Sequence, residues 1–235
     1  TLPVRIETIE IKHDVALLKL ALPKAPSFAF YAGQYIDLLL PGNISRSYSI
    51  ANSPDQEGVL ELHIRKRENG VCSEMIFGAE PKIKEKGIVR VKGPLGTFTL
   101  QKDSDKPIVL LATGTGYAPI RSILLDLIHQ NSERQVHFYW GARRQEDLYA
   151  LEEAEALIGR LKNAKFSPVL SKPNSDWKGE NGYVQNVAAQ NYSDLSQYEV
   201  YACGSPAMTE SAQSLLTQKC ALPEDAFFCD AFSPA

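Results

Sequence analysis

Hydrophobic and polar positions change every one or two residues over the first hundred positions. Val15, Leu17 and Ala21 interleave with Ala16, Leu18, Leu20 and Leu22, which predicts a strand buried on both faces. Residues 33–40, 45–51, 59–66 and 88–92 continue as strand-length runs. Pro41-Gly42-Asn43 and Ser53-Pro54-Asp55 separate them with residues that favour tight turns. A single short helix is predicted here, starting near Val71 and ending by Gly78. Short strands punctuated by Gly and Pro predict a small six-stranded antiparallel β-barrel.

The period changes after the polar stretch Gln101-Lys102-Asp103-Ser104-Asp105-Lys106. The domain boundary is expected there, dividing the chain into units 1–100 and 101–235. Residues 107–112 form a continuous apolar strand. Ile120, Ile123, Leu124, Leu127 and Ile128 then recur at helical spacing and make one apolar stripe. Residues 136–140 are the next strand. Residues 148–161 are an acidic-then-basic helix, which suits the helix dipole. Further strands are predicted at 166–170, 199–202 and 226–229. Ser205 can cap a helix with Pro206 at its first position, and that helix ends before Leu222-Pro223. Strands alternating with helices predict a Rossmann-like α/β domain, its parallel five-stranded sheet covered on both faces.

Composition narrows the function classes. The net charge is -3, with no basic excess to attract nucleic acid. The longest apolar runs, around residues 36–40 and 108–112, are strand-sized rather than membrane-spanning. The first residues carry no secretory hydrophobic region, so a cytoplasmic protein with no membrane partner is expected. Cys72, Cys203, Cys220 and Cys229 form no C-x-x-C pair and no ferredoxin-type cluster. No metal or iron–sulfur centre is expected within the chain, and the thiols are expected to be reduced.

Candidate chemistry lies in short segments. Gly114-Thr115-Gly116-Tyr117-Ala118-Pro119 follows a strand and opens a helix. Glycines allow a sharp bend and a close approach to a ligand, and the helix start offers free N–H groups to a pyrophosphate. The pattern is G-x-G-x-x-P rather than G-x-G-x-x-G; the competing reading is a plain strand-to-helix turn. Tyr201-Ala202-Cys203-Gly204-Ser205-Pro206 lies at another strand's carboxyl end, where open α/β sheets bind ligands. Cys203 either touches a nicotinamide or is a small buried thiol. Arg143 and Arg144 end the second strand of this half, near an expected adenosine ribose, and leave NAD and NADP both open.

In the first half, Arg46, Tyr48 and Ile50 share one strand face, and Ser47 and Ser49 the other. Arginine can clamp a phosphate and tyrosine can stack on a ring. Glu61, His63 and Arg65 alternate in the same way; His63 reads as a hydrogen-bonded structural or flavin-edge residue rather than an acid or base. Gly70-Val71-Cys72-Ser73 opens the short helix and offers N–H groups and a hydroxyl to a phosphate. In this order the segments outline a flavin site followed by a nicotinamide-dinucleotide site.

Over the whole chain these segments resemble the ferredoxin–NADP reductase superfamily, and within it the flavin reductases and the oxygenase-type and glucoseen-type reductases. The resemblance implies that Arg46 binds the flavin phosphate, Tyr48 lies against the isoalloxazine, and Ser49 hydrogen-bonds near flavin N5. His63-Ile64-Arg65 is similar to the family's second flavin strand, Gly70-x-x-Ser73 to its pyrophosphate segment, and Gly93-Pro94-Leu95-Gly96 to the strand end before its linker. Gly114 to Pro119 and Cys203-Gly204 are similar to its dinucleotide segments. Asp230-Ala231-Phe232 is similar to the tail that brings an aromatic residue to the flavin. Phe232 is then expected to hold the nicotinamide's stacking place until the cofactor displaces it.

The function so implied is hydride transfer from nicotinamide C4 of NADH or NADPH to N5 of FAD or FMN. The leading expectation is an NAD(P)H:flavin oxidoreductase that releases reduced flavin to a partner such as a flavin-dependent monooxygenase. The alternative is an FAD-containing reductase that passes single electrons to a ferredoxin, an iron–sulfur oxygenase or a deoxysugar enzyme. A non-catalytic flavin- or nucleotide-binding module is the third. The length matches stand-alone flavin reductases, and Thr1 is what removal of an initiator methionine leaves. Gly70 to Ser73 instead fits a bound FAD, and a chain trimmed of a fused ferredoxin domain accounts for both features.

Overall fold

The computed structural model describes residues 1–232. Six strands, β1 (Leu2–Lys12), β2 (Val15–Ala21), β3 (Tyr35–Leu40), β4 (Ile44–Ser49), β5 (Val59–Arg65) and β6 (Ile88–Leu95), form one sheet in the order β4-β3-β6-β1-β2-β5. Every pairing in it is antiparallel. Ile50, just past β4, bridges to Leu62 on β5, and the Ala51 amide donates to the Glu61 carbonyl at 2.8 Å. These bonds bring the two edges of the sheet together, and the strands close into a barrel. Val4, Leu18, Leu20, Ile36, Leu38 and Leu60 fill its interior. Helix α1 (Val71–Phe77) packs Cys72 and Ile76 against that core.

Strand β1 carried no clear signal in the pattern. Only Val4 and Ile6 are buried in it, charged residues occupy many of its other positions, and a register shift separates Ile6 from Thr8. The other five strands lie where alternation predicts them, within a few residues.

The second half contains β7 (Ile108–Thr113), α2 (Tyr117–His129), β8 (Val136–Ala142), α3 (Leu151–Gly159), β9 (Ala164–Leu170), β10 (Glu180–Asn181), α4 (Val184–Asn191), β11 (Glu199–Gly204), α5 (Pro206–Lys219) and β12 (Phe227–Ala231). The strands form a parallel sheet in the order β10-β9-β8-β7-β11-β12. This is the expected sheet of five strands plus β10, two exposed polar residues with no hydrophobic signature. Ser205 caps α5, its Oγ accepting the Met208 amide at 3.3 Å, with Pro206 in the first turn. Among the described residues no helix is long and apolar enough to cross a membrane.

Strand order reverses between β7 and β11. The chain moves outward from β7 through β8 to β10, then returns to β11 on the other side. Such a switch point opens a crevice at the strands' carboxyl ends.

The barrel is fastened across that end. Arg121 on α2 donates to the Ala51 carbonyl at 2.9 Å and to Glu61 at 2.6 Å, both in the barrel, and to Glu153 on α3 at 2.7 Å. The Ser122 hydroxyl donates to the Asn52 carbonyl at 2.8 Å. Val15, Ala32, Phe98 and Leu100 join the apolar cluster that continues through Ile108 and Tyr117. Residues 101–107 are held by Arg134, which donates to the Gln101 and Lys106 carbonyls and pairs with Glu199 at 2.8 Å.

Candidate functional site

Two adjoining cavities open along the seam. The first, about 430 Å³, is lined by β4, β5, the start of α1, Thr115, Ala118 and the end of β12. The pleat of β5 turns His63 and Arg65 to this cavity, while Ile64 points into the barrel core and is fully buried. Ile64 was expected at the flavin and contributes packing instead. From β4 come Arg46, Ser47, Tyr48 and Ser49. Ser47 donates to Asp37 on β3 at 2.6 Å, which ties its hydroxyl to the strand pair. Arg46 donates to the Ser45 carbonyl at 2.9 Å. Burial pushes the Tyr48 phenol well above its ordinary value, so it stays neutral.

Gly70, Val71, Cys72 and Ser73 line the same cavity. Ser73 Oγ accepts the Arg67 amide at 2.7 Å, leaving its own proton free to donate. Burial raises the Cys72 thiol, which is therefore not a nucleophile at neutral pH. Arg46, Arg65 and Arg67 set three guanidinium groups against one lining carboxylate, Asp230, so the wall favours an anion. Burial lifts the Asp230 carboxyl from 3.8 to about 6.

The second cavity, about 960 Å³, lies at the switch point. Its wall includes the ends of β7, β8 and β11, where Thr113, Gly114, Thr115, Gly141, Gly204 and Ser205 line it. Gly114 has φ +54 and Gly204 φ +145. A methyl group on Gly204 would lie 2.0 Å from Thr113 Oγ1 and 3.0 Å from the Thr113 amide nitrogen. Arg143 after β8 and Lys172 after β9 supply positive charge on the far side.

Several expected residues do not reach either cavity. Gly116 is where the turn presses against β11; a methyl there would sit 2.2 Å from the Cys203 carbonyl oxygen. Tyr117 is fully buried, stacked on Trp140 at 4.3 Å and donating to Glu153 at 2.7 Å. Pro119 is buried within α2. Arg144 lies in the exposed turn before α3, its amide donating to Asp147 at 3.3 Å. Cys203 is fully buried among Ala112, Tyr117 and Tyr201, and burial, then the Asp230 charge, hold its thiol well above the ordinary value. The expectation that its side chain meets the nicotinamide is corrected to the small-buried-thiol reading. Its neighbours Gly204, Ser205 and Pro206 do line the cleft.

Some lining residues escaped the sequence reading. Arg67 lies two positions beyond Arg65, so the two-residue period pointed to it. Lys172 follows a strand end as Arg143 does. Tyr149 has no local signal; it lines the cleft and bonds His63 at 2.8 Å across the seam.

Arg65, Arg67, Thr115 and Phe232 line both cavities. Phe232 is held there by its amide, which donates to the Gly204 carbonyl at 2.7 Å. The residues present suit the two groups expected. Arginines, hydroxyls and a tyrosine fit a flavin phosphate and ring in the first cavity. A glycine-lined turn at a switch point fits a dinucleotide in the second.

Comparison with known proteins agrees with this arrangement. Residues 4–100 match the oxidoreductase FAD-binding domain family and residues 110–214 the oxidoreductase NAD-binding domain family. The CDP-6-deoxy-L-threo-D-glycero-4-hexulose-3-dehydrase reductase of Yersinia pestis is 42% identical over 236 residues, covering all of this chain and 70% of its own length. The NAD(P)H-flavin reductase of Vibrio harveyi is 33% identical over 213 residues, 90% of each protein. The crystal structure of the Amycolatopsis cytochrome P450 reductase GcoB superposes with a TM-score of 0.89 at 29% identity, over 99% of this chain and 70% of that one. The chain belongs to the ferredoxin–NADP reductase family of FAD- and NAD-binding oxidoreductases.

Proposed function

We propose that the chain is an NAD(P)H:flavin oxidoreductase, with the flavin in the first cavity and the dinucleotide in the second. The four residues shared between the cavities carry this reading, because they set the two spaces side by side. When both groups are bound, hydride passes from nicotinamide C4 to flavin N5. The chain's part is to hold two rings in reactive contact and keep water out.

On this reading Arg46 neutralises the flavin phosphate, Tyr48 packs on the flavin ring, and Ser49 donates a hydrogen bond beside the reacting atom. Gly70 to Ser73, with Arg67, favour a second phosphate and therefore FAD. Gly114, Thr115, Gly204 and Ser205 cradle the dinucleotide pyrophosphate, and Arg143 and Lys172 face its adenosine end. Phe232, which lines both cavities, would cover a bound flavin and would have to give way to the nicotinamide. Residues 1–100 act as the flavin unit and 101–235 as the nucleotide unit.

Release of reduced flavin to a separate oxygenase is the leading reading of where the electrons go. Transfer from bound FAD to an iron–sulfur partner is the second, supported by the Ser73–Arg67 segment and by likeness to a dehydrase reductase. Four free cysteines suit a reducing, cytoplasmic setting.

An absorbance spectrum of the thoroughly desalted protein tests this, followed by NADH with and without FMN. A colourless protein that oxidises NADH only when FMN is added supports the leading reading. A retained flavin spectrum that bleaches with NADH supports the second. No NADH oxidation in either case overturns both.

A further inference from the structure

His63 and Tyr149 meet across the seam. His63 stands on β5 and lines the flavin cavity; Tyr149 precedes α3 and lines the dinucleotide cleft. His63 Nδ1 and Tyr149 Oη are 2.8 Å apart, and the two rings meet edge to face with centroids 5.4 Å apart. Each residue is only 8% exposed. Trp140 packs edge-on against Tyr149 at 5.3 Å, and Tyr117 lies 6.1 Å from the imidazole, so neither ring is free to turn.

The hydrogen bond has one chemically sensible direction. Burial raises the Tyr149 phenol, which therefore keeps its proton. Burial, then the Arg121 cation, push His63 down to about 3, so the imidazole is neutral. A neutral imidazole has one acceptor nitrogen and one N–H. Among the described residues the phenol has no other hydrogen-bond partner, and a buried hydroxyl proton without an acceptor is costly. Tyr149 therefore donates to Nδ1, and the imidazole proton sits on Nε2. Nε2 makes no hydrogen bond to the described residues, and it is not among their fully buried unpartnered atoms. It therefore keeps some accessible surface, on a side chain that lines the cavity.

We propose that Tyr149 is a positioning residue of the dinucleotide domain that holds His63 as the Nε2–H tautomer, and that this N–H donates to an acceptor on the bound flavin. The flavin's hydrogen bonding then depends on a side chain from the other domain. The proposal rests on the reading of the first cavity as the flavin site.

The test combines nitrogen NMR of His63 in the full chain without flavin with FMN titration, without NAD(P)H, of wild type, Tyr149→Phe, His63→Leu and His63→Gln. The expected wild type is the Nε2–H tautomer. Tyr149→Phe should mix the tautomers and weaken FMN binding about five- to tenfold, the loss of one hydrogen bond. His63→Leu should weaken it by about as much, while His63→Gln, which keeps an N–H donor, should restore most of the affinity. A wild-type Nδ1–H tautomer overturns the proposal. So does an FMN affinity left unchanged in both Tyr149→Phe and His63→Leu, with the flavin reading intact. A wild type that binds no flavin removes the reading of the cavity and the proposal together. If Tyr149→Phe fails to fold, the wild-type tautomer and the His63 pair still decide.

Discussion

The two cavities differ in what their walls are made of. Side chains dominate the flavin cavity: Arg46, Ser47, Tyr48 and Ser49 in succession on β4, and His63 and Arg65 at alternate positions on β5. The dinucleotide cleft has glycines where strands end, and Gly114 and Gly204 are in conformations that L side chains rarely adopt. A side-chain wall takes its specificity from residue identity on a regular scaffold. A glycine turn takes it from the absence of a side chain, so its sensitive positions are the ones a Cβ would fill.

The sharpest way to break this comparison is Gly204→Ala. The new methyl meets Thr113 within 3.0 Å, at a φ of +145. It should cost about 2–4 kcal/mol of stability and abolish NADH binding, while FMN binding survives in the fraction that folds. Thermal melts and separate NADH and FMN titrations check this. NADH binding at wild-type strength would mean that the cleft is not backbone-built at this point.

Arg121→Gln tests the fastening between the cavities. It leaves Glu61 and Glu153 without their cation. A fully buried pair broken in this way costs about 3–5 kcal/mol. Both carboxylates are partly exposed, and about 2 kcal/mol is expected here after that discount. Urea unfolding measures it. FMN and NADH affinities should each change little, while flavin reduction followed by stopped flow slows. Equal losses in binding and rate would place Arg121 in one of the sites rather than between them.

Asp230→Asn has the smallest expected effect and the opposite sign. Its carboxyl lies at about 6 in the folded chain against 3.8 unperturbed, because burial disfavours the charge. The native state therefore binds this proton more tightly than the unfolded chain does. Its contribution to stability is complete below about pH 4 and is lost as pH rises through about 6. At pH 7 Asp230→Asn should stabilise the chain by about 1–2 kcal/mol, allowing for partial exposure, and flatten the stability profile between those values. Urea midpoints across that range check it; a destabilised variant at pH 7 would mean that the charge is paired after all.

Legibility followed the same division. Glycines at strand ends are visible one by one, so Gly114, Gly204 and the capped helix at Ser205 could be read directly. The two-residue period brought out Arg46, Tyr48, His63 and Arg65 but did not separate core from cavity. Ile64 was carried along with His63 although the pleat sends it inward. Tyr117 and Pro119 were carried along with a turn of which Gly114, Thr115 and Ala118 reach the cavities. Strand β1 and the two residues of β10 were faint because exposed polar positions carry no burial period.

Local order, then, was the sequence's to determine. Alternation made the barrel strands, helical spacing and strand-length apolar runs made the parallel sheet, and glycine and proline set the turns, because each depends on residues a few positions apart. Tertiary structure alone decided what meets across the seam. It brought Tyr149 to His63, 86 positions away, seated Arg121 between Glu61 and Glu153, and decided between the two readings of Cys203 by burying it. Those outcomes depend on how two separately patterned units pack, and no short-range period encodes the distance between them.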